Sequence, residues 1–163
     1  MVRGIVKENN ATIHMPIGRS TKDRVKMAVV KSGKDAITHF KVLERYSSNT
    51  LLQVVIETGR THQIRVHMAE IGHPVIGDSV YSNGKNEYNV EGQMLHAWKI
   101  EFRLPKNGEK MEIVAPIPEY FKKIIESEEK KNGRDTITEI FSWKWSCIKT
   151  KMWRIHFRGK NKS

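Results

Sequence analysis

Apolar and polar positions alternate in short runs along much of the chain, a pattern typical of strands with one buried face. Ala36–Arg45 and Leu51–Glu57 are two such runs, and the polar Ser47–Asn49 between them predicts a hairpin. Ala97–Leu104 and Met111–Ala115 predict a second hairpin, because each places its apolar residues on one face. Two shorter runs follow the same pattern, at Ala11–Ile17 and Met27–Val30. Together they indicate a mainly antiparallel sheet.

Two other segments carry apolar residues at helical spacing. The first is Thr61–Ile71, which we predict to begin at an N-cap Thr61 and to be followed by Gly72 as the C′ glycine. The second is Pro118–Ser127, which opens with proline in its first turn. Strands with a few helices packed on them make an α+β domain. We therefore predict an α+β fold with a mainly antiparallel sheet and a few helices over residues 1–127.

Residues 128–163 form a separate C-terminal segment. Its first part, residues 128–134, reads Glu-Glu-Lys-Lys-Asn-Gly-Arg and is typical of a solvated linker. Aromatic residues and cations alternate after it, and they could stack on single-stranded bases. The same residues could form the core of a small strand pair, or carry no selected structure. We predict a basic, aromatic tail of unknown structure and give it no function.

The composition is that of one ordinary domain of 163 residues, of which 38% are hydrophobic and 29% charged. No apolar run approaches the roughly 18 residues that a membrane span needs. The N-terminal MVRGIVKENN lacks the apolar region of a secretory signal. The single cysteine, Cys147, has no partner for a disulfide, and His62 and His67 would face directions about 140° apart on a helix. We expect a soluble cytoplasmic protein without a metal site.

The net charge of +11 is unevenly distributed. Residues 1–50 carry 10 basic and 4 acidic side chains, residues 51–127 carry 9 and 10, and residues 128–163 carry 10 and 4. A basic surface indicates a polyanionic partner, because phosphates neutralised by the protein release their counterions. The charge is also compatible with a basic protein that binds no nucleic acid. Composition therefore raises RNA as a hypothesis without deciding it.

The candidate chemistry lies in residues 58–67, TGRTHQIRVH, where a predicted strand ends, a glycine permits a tight turn and a helix begins. Helix N-termini present free N–H groups and a partial positive charge, which suit phosphates and carboxylates. Side-chain donors are added at the same point by Arg60, His62, Gln63 and Arg65. This segment is therefore the candidate anion-binding site.

Arg65 is the most informative of these donors. It lies in the first turn of the predicted helix, where a cation opposes the helix dipole. A locally unfavourable residue is a reasonable place to suspect function. The alternative is a structural ion pair with a nearby glutamate such as Glu57 or Glu70.

Three stretches of the sequence resemble RluA-type RNA pseudouridine synthases, in particular the ribosomal large-subunit branch. They are GRTHQIRVH with IGHPVIGDSVY, the upstream PIGRSTKDRVKMAVVKSGKDAITHFKVLER, and the downstream LHAWKIEFRLPKNGEKMEIVAPIPEYF, which together span about residues 2–125. The resemblance implies an α+β catalytic domain with a largely antiparallel central sheet. It also implies conversion of uridine to pseudouridine in structured, ribosomal RNA, by breaking the C1′–N1 bond and rejoining at C5 without metal or cofactor.

The same resemblance assigns roles to residues of this chain. Arg65 matches the arginine that pairs with the catalytic aspartate and keeps it ionised, in line with the effect of a guanidinium on a carboxylate pKa. Leu95 matches the apolar residue that packs near the target base. The positions that fall where the family approaches RNA are Arg60, His62 and Gln63. Gly77-Asp78 is expected to shape a turn, since an aspartate after a glycine is usually a loop residue.

The family's nucleophile is an aspartate in a His-Arg-Leu-Asp motif, which this sequence does not contain. None of its four aspartates follows His-Arg-Leu, and they are Asp23, Asp35, Asp78 and Asp135. The tyrosine expected to stack on the target base, just before Val2, is absent too. We interpret the chain as an incomplete pseudouridine synthase catalytic domain, inactive alone, with an exposed sheet edge and apolar surface. The alternatives are a non-catalytic RNA-binding module and, less favoured, a plain α+β domain without an RNA partner.

Overall fold

The described part of the protein combines antiparallel sheets with two helices. The computed structural model describes residues 1–23, 25–83 and 87–133, so most of the predicted tail lies outside the described residues. The elements in chain order are β1 (Val2–Arg3), β2 (Asn10–His14), β3 (Ile17–Arg19), β4 (Met27–Val29), β5 (Ile37–Arg45), β6 (Asn49–Ile56), α1 (Gln63–Glu70), β7 (Lys99–Arg103), β8 (Lys110–Val114) and α2 (Glu119–Lys131). The predicted α+β fold with a mainly antiparallel sheet is confirmed.

The main sheet has four strands in the order β1-β6-β5-β2, while β3–β4 and β7–β8 form separate pairs among the described residues. Both predicted hairpins are present, as β5–β6 and β7–β8. A bulge lies between Val42 and Glu44 of β5. The β5–β6 turn is closed by the Tyr46 N–H, which donates to the Asn49 carbonyl (2.8 Å). β6 therefore begins at Asn49 rather than at Leu51.

Helix α1 packs its buried face against the main sheet. Met68 is fully buried in a cluster that includes Ile13, Phe40 and Val75 from the strands and the segment after the helix. Ile13 and Phe40 come from the alternating patterns of the sequence, so apolar side chains that define the strands also build the core. No helix among the described residues is long and apolar enough to cross a membrane.

The start of α1 differs from the prediction. The helix begins at Gln63, and its N-cap is His62 at φ 56°, not Thr61. His62 makes no side-chain capping bond. The turn is instead closed by Gln63, whose Oε1 accepts a hydrogen bond from the Arg60 N–H (3.0 Å). The predicted C′ glycine is confirmed, because Gly72 has φ 84° and donates to a carbonyl of the last helical turn (3.0 Å).

Helix α2 continues to Lys131, past the predicted end at Ser127. Residues 128–131 are therefore helical rather than a solvated linker. Glu128 is fully buried, and its carboxylate accepts from Asn49 Nδ2 (3.0 Å) and Lys131 Nζ (2.7 Å). Burial alone would raise the pKa of Glu128, but hydrogen bonds from Lys131 and its other neighbours hold it below its ordinary value. A charged segment can thus pack against the rest of the protein when a buried carboxylate such as that of Glu128 is hydrogen-bonded.

The β7–β8 hairpin leaves one apolar face open to solvent. Ile100 and Ile113 are paired across the two strands and remain 57% and 51% exposed. On the other face, Lys99 Nζ lies 3.1 Å from a Glu101 carboxylate oxygen and 2.6 Å from one of Glu112. This hairpin therefore exposes apolar surface.

Replacing Ile100 and Ile113 together with threonine should reduce self-association of the chain. Threonine keeps the β-branched shape that suits a strand but removes apolar surface from the open face. Sedimentation at several concentrations should show a shift toward monomer. The melting temperature should change little, because exposed substitutions usually alter stability by about 0.5 kcal/mol or less. Val25→Thr is the matched control, since Val25 is 84% exposed on another surface. Unchanged association in the double variant would mean that another surface is responsible.

Candidate functional site around Arg65 and Asp78

The turn between β6 and α1 is held together by the amide of Gln63, which is 3% exposed. Its Oε1 accepts from Thr58 Oγ1 (2.8 Å) and from the Arg60 N–H. Its Nε2 donates to Ile37 O (2.9 Å) and Thr38 Oγ1 (3.0 Å). All the polar atoms of this amide are engaged within the protein. Gln63 thus shapes the turn that presents the neighbouring candidate residues.

Arg60 and His62 lie on the accessible side of that turn. The Arg60 Nε donates to Asp35 O (2.8 Å), and no further hydrogen bond of its guanidinium falls within the described residues. His62 is half-buried, with its Nδ1 3.0 Å from the Tyr81 hydroxyl. Both side chains therefore keep polar atoms that a ligand could reach.

Arg65 is paired with Asp78, which comes from the loop after α1. Arg65 Nε donates to Asp78 Oδ2 (2.7 Å) and Arg65 Nη2 donates to Oδ1 (2.9 Å), so the pair is bidentate. The alternative pairing of Arg65 with Glu57 or Glu70 is wrong, and Glu57 instead binds His39 Nε2 (2.8 Å). The sequence did not indicate this partner because Asp78 is 13 residues away from Arg65 and is brought to the helix only by the folded loop.

The carboxylate of Asp78 is fully buried and accepts from four donors. Beside the two from Arg65, the N–H groups of Val80 and Tyr81 donate to Oδ1 (both 3.0 Å). Burial alone would raise the pKa of Asp78, but hydrogen bonds from Arg65 and these N–H groups hold it below its ordinary value. The same pairing raises the pKa of Arg65. The site therefore contains an ion pair whose two charges neutralise each other, in which the Arg65 side chain is 12% exposed.

Gly77 sets the direction from which Asp78 approaches. It has φ 74°, a left-handed conformation that side chains disfavour. A Cβ at this position would lie 2.2 Å from the Gly92 carbonyl oxygen and 2.4 Å from Val90 Cγ2. The predicted turn at Gly77-Asp78 is confirmed. Asp78 also has a role that the sequence did not indicate, as the partner of Arg65.

Residues 2–70 match the family model described as RNA pseudouridylate synthase. This part of the chain is similar to that family. The chain is 47% identical over 133 residues to an uncharacterized RNA pseudouridine synthase of Bacillus subtilis, covering 82% of this chain and 43% of that protein. It is 42% identical over 133 residues to ribosomal large subunit pseudouridine synthase D of Pseudomonas aeruginosa, covering 74% and 41%. The chain therefore spans less than half the length of these curated relatives.

A solved structure, human RNA pseudouridylate synthase domain containing 1, is 36% identical and superimposes with a TM-score of 0.58. The match covers 72% of this chain and 52% of the human chain. A second human structure, RNA pseudouridylate synthase domain containing 4, is 22% identical with a TM-score of 0.60 and shares the fold. The family resemblance seen in the sequence is confirmed over the matched part.

Tyr81 is the site residue that sequence reasoning missed. Its ring centroid lies 5.0 Å from the Arg65 guanidinium carbon, and its hydroxyl touches His62. It stands three residues after Asp78, within the same IGHPVIGDSVY stretch that carried the family resemblance. Because Asp78 begins a turn, the residue three positions later, Tyr81, folds back beside Asp78 and its partner Arg65. The three-residue spacing between Asp78 and Tyr81 was the signal in the sequence that could have identified Tyr81.

Leu95 lies on a segment that runs beside the one carrying Asp78. The neighbouring Met94 N–H donates to Ile76 O (2.8 Å), which joins the two segments next to Gly77. Leu95 itself is 38% exposed, so its side chain can be reached from outside. The described residues bring together no group of three or more His, Cys, Asp or Glu side chains that could hold a metal.

His67 fixes the helix that carries Arg65 to the main sheet. It is fully buried, with Nδ1 2.9 Å from Thr38 Oγ1 and Nε2 2.9 Å from Met15 O. The carbonyl can only accept, so Nε2 carries the proton and Nδ1 accepts from the threonine hydroxyl. Burial lowers the pKa of His67 more than the Met15 carbonyl raises it. The folded protein therefore holds this imidazole neutral.

Gly77→Ala should destabilise the chain far more than Gly72→Ala. Both glycines have positive φ, but a Cβ at Gly72 meets nothing within 4 Å, whereas one at Gly77 meets backbone at 2.2 Å. The control should lose about 1–2 kcal/mol from backbone conformation alone, and Gly77→Ala about 2–5 kcal/mol because overpacking is added. Denaturant titration measures both. Equal losses of unfolding free energy in the two variants would show that the loop can move to accept a Cβ at residue 77. The close approach of Gly77 to the Gly92 carbonyl would then not be what positions Asp78.

Stability of the chain should fall as the pH drops below about 6.5, the ordinary histidine pKa, and His67→Gln should reduce that loss. With the folded pKa of His67 lowered, the unfolded state takes up the proton first, so the contribution of His67 is complete above that pH and lost below it. One such group accounts for at most about 1.4 kcal/mol per pH unit. Denaturant titrations at pH 7.5 and 5.5 measure this. An equal loss of stability between these two pH values in His67→Gln would contradict the assignment.

Proposed function

We propose that this chain forms part of the catalytic centre of an RNA pseudouridine synthase, which converts uridine to pseudouridine in structured, ribosomal RNA of the cytoplasm. The observation that carries the proposal is the clamped guanidinium of Arg65, in a segment that is similar to this family. The name of the Pseudomonas aeruginosa relative supports the ribosomal substrate. The reaction breaks the C1′–N1 bond of uridine and rejoins the base through C5.

Arg65 is suited to hold a second carboxylate. Asp78 occupies Nε and Nη2, and no hydrogen bond from Nη1 falls within the described residues. An adjacent guanidinium favours the ionised form of a carboxylate and orients it through paired hydrogen bonds. Because Asp78 fixes the guanidinium plane in advance, a nucleophilic aspartate would meet a preoriented donor. This is the role we propose for Arg65 as a catalytic residue.

We propose that none of the described aspartates supplies that nucleophile. Asp23 Oδ1 accepts from the Val25 N–H (3.0 Å), and Asp35 Oδ1 lies 2.6 Å from His14 Nε2. Asp78 touches Arg65, but its carboxylate is fully buried and accepts from four donors. A carboxylate in that position cannot approach C1′ of a nucleotide. We therefore propose that the chain alone is inactive.

RNA would approach across the turn before α1 and the β3–β4 hairpin. Arg60 and His62 supply donors on the turn, and Leu95 offers apolar surface for the target base. The hairpin adds cations at Arg19, Lys22 and Lys26. Such contacts hold RNA mainly through its phosphates, so binding should weaken steeply with salt.

One observation favours a second function, that of a non-catalytic RNA-binding module. Asp78 already neutralises Arg65 within the chain, so the pair is stable without any further carboxylate. In that case the basic turn and hairpin would bind RNA and no isomerisation would occur. The two functions differ in whether Arg65 is needed for chemistry.

A hybrid enzyme separates the two functions. The segment of the Pseudomonas aeruginosa synthase that aligns with this chain is replaced by residues of this chain, and pseudouridine formed in ribosomal RNA is mapped chemically. We expect the hybrid to modify RNA and the unmodified chain alone to give no signal above background. Arg65→Ala in the hybrid should lower the rate by about 100-fold or more, because a preoriented charge at the reacting centre is removed. Arg103→Ala is the matched control, since Arg103 is exposed on β7 and its guanidinium donates, within the described residues, to Gly108 O (2.9 Å).

The outcomes are distinct. A hybrid that folds and binds RNA but never modifies it would favour the RNA-binding module. Modification by the chain alone would contradict our view of the aspartates and direct attention to Asp23 and Asp35. An Arg65→Ala hybrid as active as the Arg103→Ala control would remove Arg65 from the mechanism.

A further inference from the structure

Tyr81 touches three separate elements at the candidate site. Its hydroxyl accepts a hydrogen bond from the Met27 N–H at the start of β4 (3.0 Å) and lies 3.0 Å from His62 Nδ1. Its ring lies 5.0 Å from the guanidinium carbon of Arg65. The basic β3–β4 hairpin, the turn before α1 and the helix itself therefore meet at one side chain.

The hydrogen bonds of the Tyr81 hydroxyl bear on the protonation state and tautomer of His62. A tyrosine hydroxyl has one proton to donate, and the Met27 N–H cannot accept it because an amide N–H only donates. With the Met27 N–H on the phenol oxygen, the phenol proton is free for His62 Nδ1. An imidazole that accepts at Nδ1 is neutral and carries its own proton on Nε2. A hydrogen bond donated by Tyr81 thus favours the neutral form of His62 with its proton on Nε2.

The surroundings of His62 agree with this state. Burial and the charge of Arg65 lower the pKa of His62, while Asp78 acts in the opposite direction and is the weaker influence. The backbone of His62 has φ 56°, an uncommon conformation for a residue other than glycine. Strained residues of this kind cluster at functional sites. His62 is therefore held in place by its backbone, by the Tyr81 hydroxyl and by its charged neighbours.

We propose that Tyr81 is a positioning residue, which presents His62 to RNA as a neutral Nε2–H donor while its ring fixes the guanidinium of Arg65. The inference rests on the proposed function, because it states how the same site meets its substrate. The recognised group is an oxygen acceptor of the RNA, and the contact adds no positive charge. Arg60 and the hairpin lysines provide the charge that holds the phosphates.

Tyr81→Phe isolates the hydroxyl, because the ring remains against Arg65. In the full chain, ¹⁵N spectra of the imidazole should show His62 neutral with its proton on Nε2 near neutral pH. The variant should mix the two tautomers and take up a proton at higher pH than the unmodified chain, since a hydrogen bond to the neutral form is lost. Tyr120→Phe is the matched control, because Tyr120 is 46% exposed on α2. Melting curves confirm that each variant folds.

Binding to a structured ribosomal RNA fragment provides the second measurement. Tyr81→Phe should weaken binding by about threefold or more at pH 7.5, the scale of one hydrogen bond. As the pH falls to 6, its affinity should recover more than that of the unmodified chain, because a newly protonated His62 attracts phosphate. The recovery should be absent when His62→Gln is combined with Tyr81→Phe. Subtracting the two curves removes the contribution of the other histidines.

Each outcome decides a different point. An unchanged His62 titration in Tyr81→Phe overturns the inference, even if the hybrid enzyme modifies RNA. A shifted titration with RNA binding equal to that of the Tyr120→Phe control also overturns it, because His62 then does not face RNA. A shifted titration together with pH-dependent RNA binding supports the inference, even if the hybrid proves inactive and the proposed catalysis fails.

Discussion

A guanidinium and a carboxylate that leave water together must satisfy each other's hydrogen bonds, and Arg65 and Asp78 do so in a bidentate pair. The carboxylate is fully buried, and its remaining lone pairs accept from the two backbone N–H groups of the turn that Asp78 begins. Removing either partner would leave an uncompensated charge in the interior. The need to keep both buried charges paired therefore holds the loop after α1 against the first turn of the helix.

Several other features follow from that requirement. Gly77 must adopt a left-handed conformation against the Gly92 carbonyl so that Asp78 can reach the helix. The turn that Asp78 caps returns Tyr81 over the guanidinium and toward His62. On the other side, Gln63 closes the turn before the helix and His67 attaches the helix to the sheet. The candidate RNA-binding donors of this turn are thus positioned by the side chains of Gln63, His67 and Tyr81.

The sequence predicted what depends on local pattern and missed what depends on distant contacts. Alternation located both hairpins, and the glycine after α1 was found from its position alone. The partner of Arg65 was not found, because residue 78 is brought to the helix by a loop whose course no periodicity encodes. The start of α1 was misplaced because Gln63, rather than Thr61, closes the turn. The family resemblance suggested a role for Arg65, which stays a prediction, but gave no information on its pairing with Asp78.

The buried carboxylate of Glu128 connects the two ends of the described chain. Its partner Asn49 opens β6 and is paired with Arg3 of β1, so the last turn of α2 supports the first strand through a single side chain. A domain boundary drawn at residue 127 from composition would remove Glu128 and Lys131 and leave the buried Asn49 amide without that acceptor. Loss of this hydrogen bond would weaken the support of β1, at the opposite end of the described chain. A shortened form meant to keep the native sheet should therefore retain helix α2 to its end.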